Sequence, residues 1–163
     1  MVRILRHLFM PHWLVKRYFP HHVLAAIEHA IRKSEATHRG EIRFVVEAGL
    51  DFWPLVRGQK ARDRALEVFS QLRIWDTEYN SGILVYLLLA DRDVEIVADR
   101  GIHMRAGEAE WRRICGMMEE AFRQGHFEQG VLAGIGEISA LLARHFPASG
   151  VKPNELSDRP VVL

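Results

Sequence analysis

Five polar residues stand at the ends of three apolar runs: Glu41 opens the first, Asp76 and Asn80 precede the second, and Asp99 with Arg100 closes the third. Carboxylates and a carboxamide gathered in one place are oxygen donors, the ligands that calcium and magnesium take. Two readings of the set stand. Either these residues line an acidic cation cleft, or they are ordinary turn and capping groups with Arg100 in surface ion pairs.

Other local patterns carry less chemistry. Asp91-Arg92-Asp93 follows an apolar run, as the DxD start of the haloacid-dehalogenase phosphatases does, but that pattern wants Thr or Val where Glu95 stands. A strand pattern also resumes at once, so a hairpin turn is the simpler account. Cys115 lacks the Cys-x5-Arg spacing of cysteine phosphatases, because position 121 is Ala121. The histidines form no HExxH, and the adjacent His21-His22 would face different ways on a helix, which leaves little support for zinc. Gly58-Gln59-Lys60 and the glycines of 130–136 match neither a phosphate loop nor a dinucleotide fingerprint.

The oxygen-bearing residues meet only if the intervening elements fold in a particular way. Val23, Leu24, Ile27, Ala30 and Ile31 repeat at helical spacing and stop before Gly40, a plausible C-terminal breaker. Residues 41–48, rich in β-branched side chains between Gly40 and Gly49, predict a strand. Residues 50–57 are ambiguous, and Ala61, Ala65, Val68, Phe69 and Leu72 then mark a second helix. The unbroken apolar run 83–90 predicts a central strand buried on both faces, and 94–99 a third strand. A link as short as 91–93 permits only an antiparallel hairpin. Asp99-Arg100 therefore returns to the edge that holds Asp76 and Asn80, and Glu41 joins them if the first two strands are parallel. Trp111, Ile114, Cys115, Met118, Ala121 and Phe122 form a helical stripe that turns Cys115 inward. Beyond Gly125, Val131, Ile135, Ile138, Leu142 and Phe146 mark a last helix, whose Gly130, Gly134 and Gly136 suit close packing. The order predicts an α/β fold: a small mixed sheet, with strands near 41–48, 82–90 and 94–99, between helices on both faces.

With 163 residues, 48% apolar and 26% charged, the chain has the makings of one core, placed at 20–147. A formal charge of +1 gives no reason to expect a nucleic-acid partner. The first twenty residues nonetheless hold Arg3, Arg6, Lys16 and Arg17 with no acid. Residues 1–19 read as a basic amphipathic helix on which Ile4, Leu5, Leu8, Phe9 and Trp13 recur. Such a helix packs onto the domain or a second copy, or lies on a membrane surface. Residues 148–163 read as a polar tail or extended arm. A lone cysteine excludes an internal disulfide and fits a reducing compartment, so a cytoplasmic location is expected, with peripheral membrane contact left open. No secretory signal is expected, and the longest apolar run is too short to span a membrane.

Several stretches, taken in order, resemble the TPM-domain family, which includes a thylakoid-lumen acid phosphatase and photosystem-repair proteins. They are Gly40-Glu41-Ile42, Ala65 to Phe69, Asn80-Ser81-Gly82-Ile83-Leu84, Asp91-Arg92, Glu95-Ile96, Arg100-Gly101-Ile102, and Phe122 to Gly130. The resemblance covers about residues 20–147 and implies an α/β sandwich, a divalent-cation cleft and, in some members, acid phosphatase activity. It implies Asp76, Asn80 and Asp99 as ligands of calcium or magnesium, with Glu41 behind them. Asp99, Arg100 and Arg62 would then form the catalytic set, an arginine gripping phosphate oxygens with its planar fork. Ala98-Asp99-Arg100-Gly101 departs from the Thr-Gly-x-Gly step common in relatives. The signal peptide and C-terminal membrane helix of many members are not expected here. The resulting expectation is a cation-binding domain with weak activity on a phosphorylated small molecule or protein. The alternative is a non-enzymatic module assisting membrane protein assembly or repair, with a protein partner at a membrane surface.

Overall fold

The computed structural model describes residues 2–150 and 153–163. β1 (Glu41–Glu47) and β2 (Gly82–Leu88) run parallel, Glu41 opposite Gly82 and Glu47 opposite Leu88, and β3 (Asp93–Ala98) turns back antiparallel along β2. Side chains alternate across a strand, and here both alternating sets are apolar. Ile42, Phe44, Val46, Ile83, Val85 and Leu87 face one core, built with α3 (His21–Glu35), α7 (Glu108–Arg123) and α8 (Phe127–His145). Val45, Leu84, Tyr86 and Leu88 face the other, built with α4 (Phe52–Val56) and α5 (Ala61–Gln71). The result is the expected mixed sheet between helical layers. α7 buries Trp111, Ile114, Met118 and Phe122, and α8 approaches it closely because Gly134 has no side chain. A Cβ there would stand 2.3 Å from Met118 Sδ.

The structure departs from the sequence reading in several places. The N-terminal stretch is two helices, α1 (Val2–Leu8) and α2 (His12–Tyr18), because Pro11 is extended and caps α2, interrupting the helical course. α3 stops at Glu35, short of Gly40, whose role is contact: an added Cβ would lie 2.7 Å from Leu142 Cδ1. α4 occupies the ambiguous segment, and α6 (Arg100–Ala106) is inserted between β3 and α7. The polar tail ends in β4 (Val161–Val162), which pairs parallel with Val45 and Val46 and makes the sheet order β3-β2-β1-β4.

Candidate functional site

Asp99 closes β3 and donates its backbone N–H to Gly82 O at 2.9 Å, which sets it beside the start of β2. Gly101, two residues on, lies against the loop before β2: a Cβ there would be 3.4 Å from Asn80 O and 4.0 Å from Tyr79 O. Asn80 holds that loop with φ 49°, a left-handed conformation asparagine tolerates better than most residues. The Asp99 carboxylate takes the Arg100 N–H on Oδ1 at 2.7 Å. Its Oδ2 is buried and has no hydrogen-bond partner among the described residues. Asp76 and Arg100 are both exposed, Asp76 on the loop that carries Asn80.

The remaining sequence-predicted residues sit differently. Glu41 starts β1 opposite Gly82, yet it is fully buried and accepts the Leu156 N–H on Oε2 at 3.1 Å, under the C-terminal arm. Arg62 on α5 donates to Ile96 O at 2.7 Å and pairs with Glu95 at 3.3 Å, capping the outer edge of β3. Among the described residues no three His, Cys, Asp or Glu side chains are gathered to hold a metal. What remains at this corner is the Asp99 carboxylate, whose Oδ2 has no hydrogen-bond partner among the described residues, and the loop carbonyls of Tyr79 and Asn80, which lie toward Gly101.

A second polar cluster lies at the opposite end of the parallel strands. Glu47 accepts from Arg64 Nε at 2.9 Å, from Arg64 Nη2 at 3.1 Å and from the Tyr86 hydroxyl at 2.6 Å. Burial, then the negative charge of Glu47, drives the Tyr86 pKa well above its ordinary value, and the hydrogen bond to Glu47 raises that of Arg64. The network fastens α5 to the sheet and walls a cavity of about 440 Å³ that Asp51, Arg57, Asp63 and Glu67 also line. Its sequence signals were slight: a tyrosine inside an apolar run and a glutamate closing a buried strand. A further cavity of about 430 Å³ runs along β3 between Arg62, His103, Trp111 and Cys115. Burial pushes the Cys115 thiol up to about 12, so it is no thiolate nucleophile at neutral pH.

The sequence profile of the TPM domain matches residues 18–141. The chain is also similar to the NMR structure of BA42 from the psychrophilic bacterium Bizionia argentinensis. The TM-score is 0.77 at 29% identity, covering 86% of this chain and 92% of that one. No curated protein matches it. Sequence profile and fold agree, and the chain belongs to the TPM-domain family.

Proposed function

We propose that the Asp99 corner binds a divalent cation, calcium or magnesium, and that the domain acts weakly on phosphomonoesters of a small molecule or protein. Asp99 Oδ2, buried without a hydrogen-bond partner among the described residues, carries this reading. A buried polar atom left unsatisfied costs about 1–3 kcal/mol, more for a charged group, and a bound cation would offset that. Backbone carbonyls, amide oxygens and carboxylates are ordinary calcium ligands, and Tyr79 O and Asn80 O border the same corner. Asp99 would hold the ion, with Asn80 beside it and the exposed Asp76 as the further carboxylate. Glu41, sealed beneath the arm, would act from behind the site. The ion would supply charge neutralisation to a phosphate ester. Arg100, exposed beside Asp99, would be the arginine that grips phosphate oxygens, whereas Arg62 would first have to leave Ile96 and Glu95. The lone Cys115 favours a reducing compartment, the cytoplasm.

Calorimetric titration with calcium and magnesium, on wild type, Asp99→Asn and Asp76→Asn, tests the site, with p-nitrophenyl phosphate hydrolysis followed in the same samples. Asp99→Asn is expected to lose at least about tenfold in affinity, equivalent to ~1.4 kcal/mol. Absence of binding at millimolar metal would sink the cation reading. Binding without hydrolysis would remove the phosphatase part alone.

A further inference from the structure

β3 lies at one edge of the sheet, so one of its two rows of backbone groups has no strand beside it. The register identifies that row. Asp99 N–H bonds to Gly82 O, and from there Ala98 stands opposite Ile83 and Val97 opposite Leu84. Bonded and non-bonded pairs alternate along an antiparallel ladder. Asp93, Glu95 and Val97 therefore bond to β2, while Val94, Ile96 and Ala98 turn their N–H and C=O outward. Side chains meet two of these outward groups where a strand would. Val94 N–H donates to Glu119 Oε1 at 3.2 Å, and Ile96 O accepts from Arg62 Nη1 at 2.7 Å. The Glu119 and Arg62 side chains are 25% and 44% exposed, free enough to swing aside. Val94 O and Ile96 N–H have no hydrogen-bond partner among the described residues.

Space for a partner runs beside this row. The cavity of about 430 Å³ between α5 and α7 is lined by Arg62, Glu95, Ile96, Trp111 and Cys115. Trp111 is only 4% exposed, and its indole N–H has no partner among the described residues. Donors and acceptors alternating at strand spacing are the complement of an extended backbone. The opposite edge of the same sheet already receives one, where β1 pairs with Val161 and Val162 of β4. Charge narrows the occupant further. Arg62 is engaged by Glu95, Arg123 by Glu119, and Arg3, Arg6 and His7 by Asp91. Lys60 and Arg92 border neighbouring cavities with Asp93, yet Asp93 forms no ion pair among the described residues. Its carboxyl lies in the field of Glu95, Glu119 and Asp91, with Arg3 opposing them. We propose that the outer edge of β3 takes an extended peptide as an added strand, with β-branched side chains over Trp111 and Cys115 and a lysine or arginine opposite Asp93. Glu119 and Arg62 are then stoppers that the entering backbone displaces from Val94 and Ile96.

Calorimetric titration of the full chain with the peptide acetyl-Thr-Val-Lys-Val-Thr-amide tests this, with a chelator present to keep the outcome separate from cation binding. Binding should slow hydrogen exchange at the Ile96 amide, the group the added strand would engage. A fully N-methylated peptide keeps every side chain and loses the backbone donors, so it should bind at least about tenfold more weakly. Replacing its lysine by glutamate should weaken binding similarly. Asp93→Asn should cost the lysine peptide about fivefold and spare the glutamate one. The proposal is overturned if the lysine peptide does not bind at millimolar concentration, or binds without slowing exchange at Ile96. It is equally overturned if the N-methylated or the glutamate peptide binds as tightly, or if Asp93→Asn binds the lysine peptide as wild type does.

Discussion

At Asp93 the chain keeps a carboxylate where its surroundings oppose charge. Burial first, then the nearby Glu95, Glu119 and Asp91, raises its pKa from 3.8 to about 6. Because the folded value is the higher one, the folded state binds the proton more tightly. That contribution is fully present below about pH 4 and lost as pH rises through about 6. Asp93→Asn is therefore expected to stabilise the protein at neutral pH by about 1 kcal/mol, discounted for solvent screening, and to be neutral in acid. Urea denaturation across that range checks it, and a gain independent of pH would show that the carboxylate is not the cause. Residue identity told part of this. Asp91-Arg92-Asp93 was legible as a hairpin turn, but nothing local shows that Asp91 collects Arg3, Arg6 and His7 from the other end of the chain. Glu41 was legible as a strand start at the acidic edge, while its burial depends on Leu156, 115 residues away.

Elements were legible where an apolar period ran long enough to be read. The hairpin, the parallel pair and the α7 and α8 stripes belong to that group. α4 and α6, of 5 and 7 residues, are too short to show a period. The N-terminal stripe was legible only in part, because Ile4 packs against the core as its apolar period suggests, while Arg3 and His7 share that side and Leu5, Leu8 and Phe9 stay exposed. Glycines separate the two kinds of constraint. At Gly82 an added Cβ would stand 1.9 Å from Ile74 O, a backbone atom that cannot swing aside. At Gly116, inside α7, an added Cβ meets nothing within 4 Å. Gly82→Ala is expected to destabilise by about 3 kcal/mol. Gly116→Ala should stabilise by about 1 kcal/mol through helix propensity, raising Tm by about 2–4 °C. Thermal melts of the two variants should move in opposite directions, and a shared sign would refute the steric account of Gly82.

On the scale of the whole molecule, the C-terminal arm closes a fold whose family match ends at residue 141. No period in the arm announces a strand, and the two residues of β4 owe their conformation to the edge of β1 that receives them. The arm nevertheless reaches several parts of the domain. Asp158 pairs with Arg32 of α3 at 3.1 Å, Ser157 O accepts from Arg43 of β1, and Leu163 donates to Val46 O at 2.9 Å. Glu155 accepts the Glu78 N–H at 2.8 Å, which fastens the loop bearing Asp76 and Asn80. Removing residues 153–163 would uncover the Glu41 carboxylate and leave β1 as a bare edge strand, a template for pairing with another chain. The truncated protein is expected to lose about 2 kcal/mol, ~6 °C in Tm, and to self-associate in light scattering. Because the loop also loses its Glu155 tether, the cation affinity proposed for the Asp99 corner should fall with it. A truncated chain that melts like wild type and scatters as a monomer would show that β3, β2 and β1 suffice, and that the arm is an ornament on a complete domain.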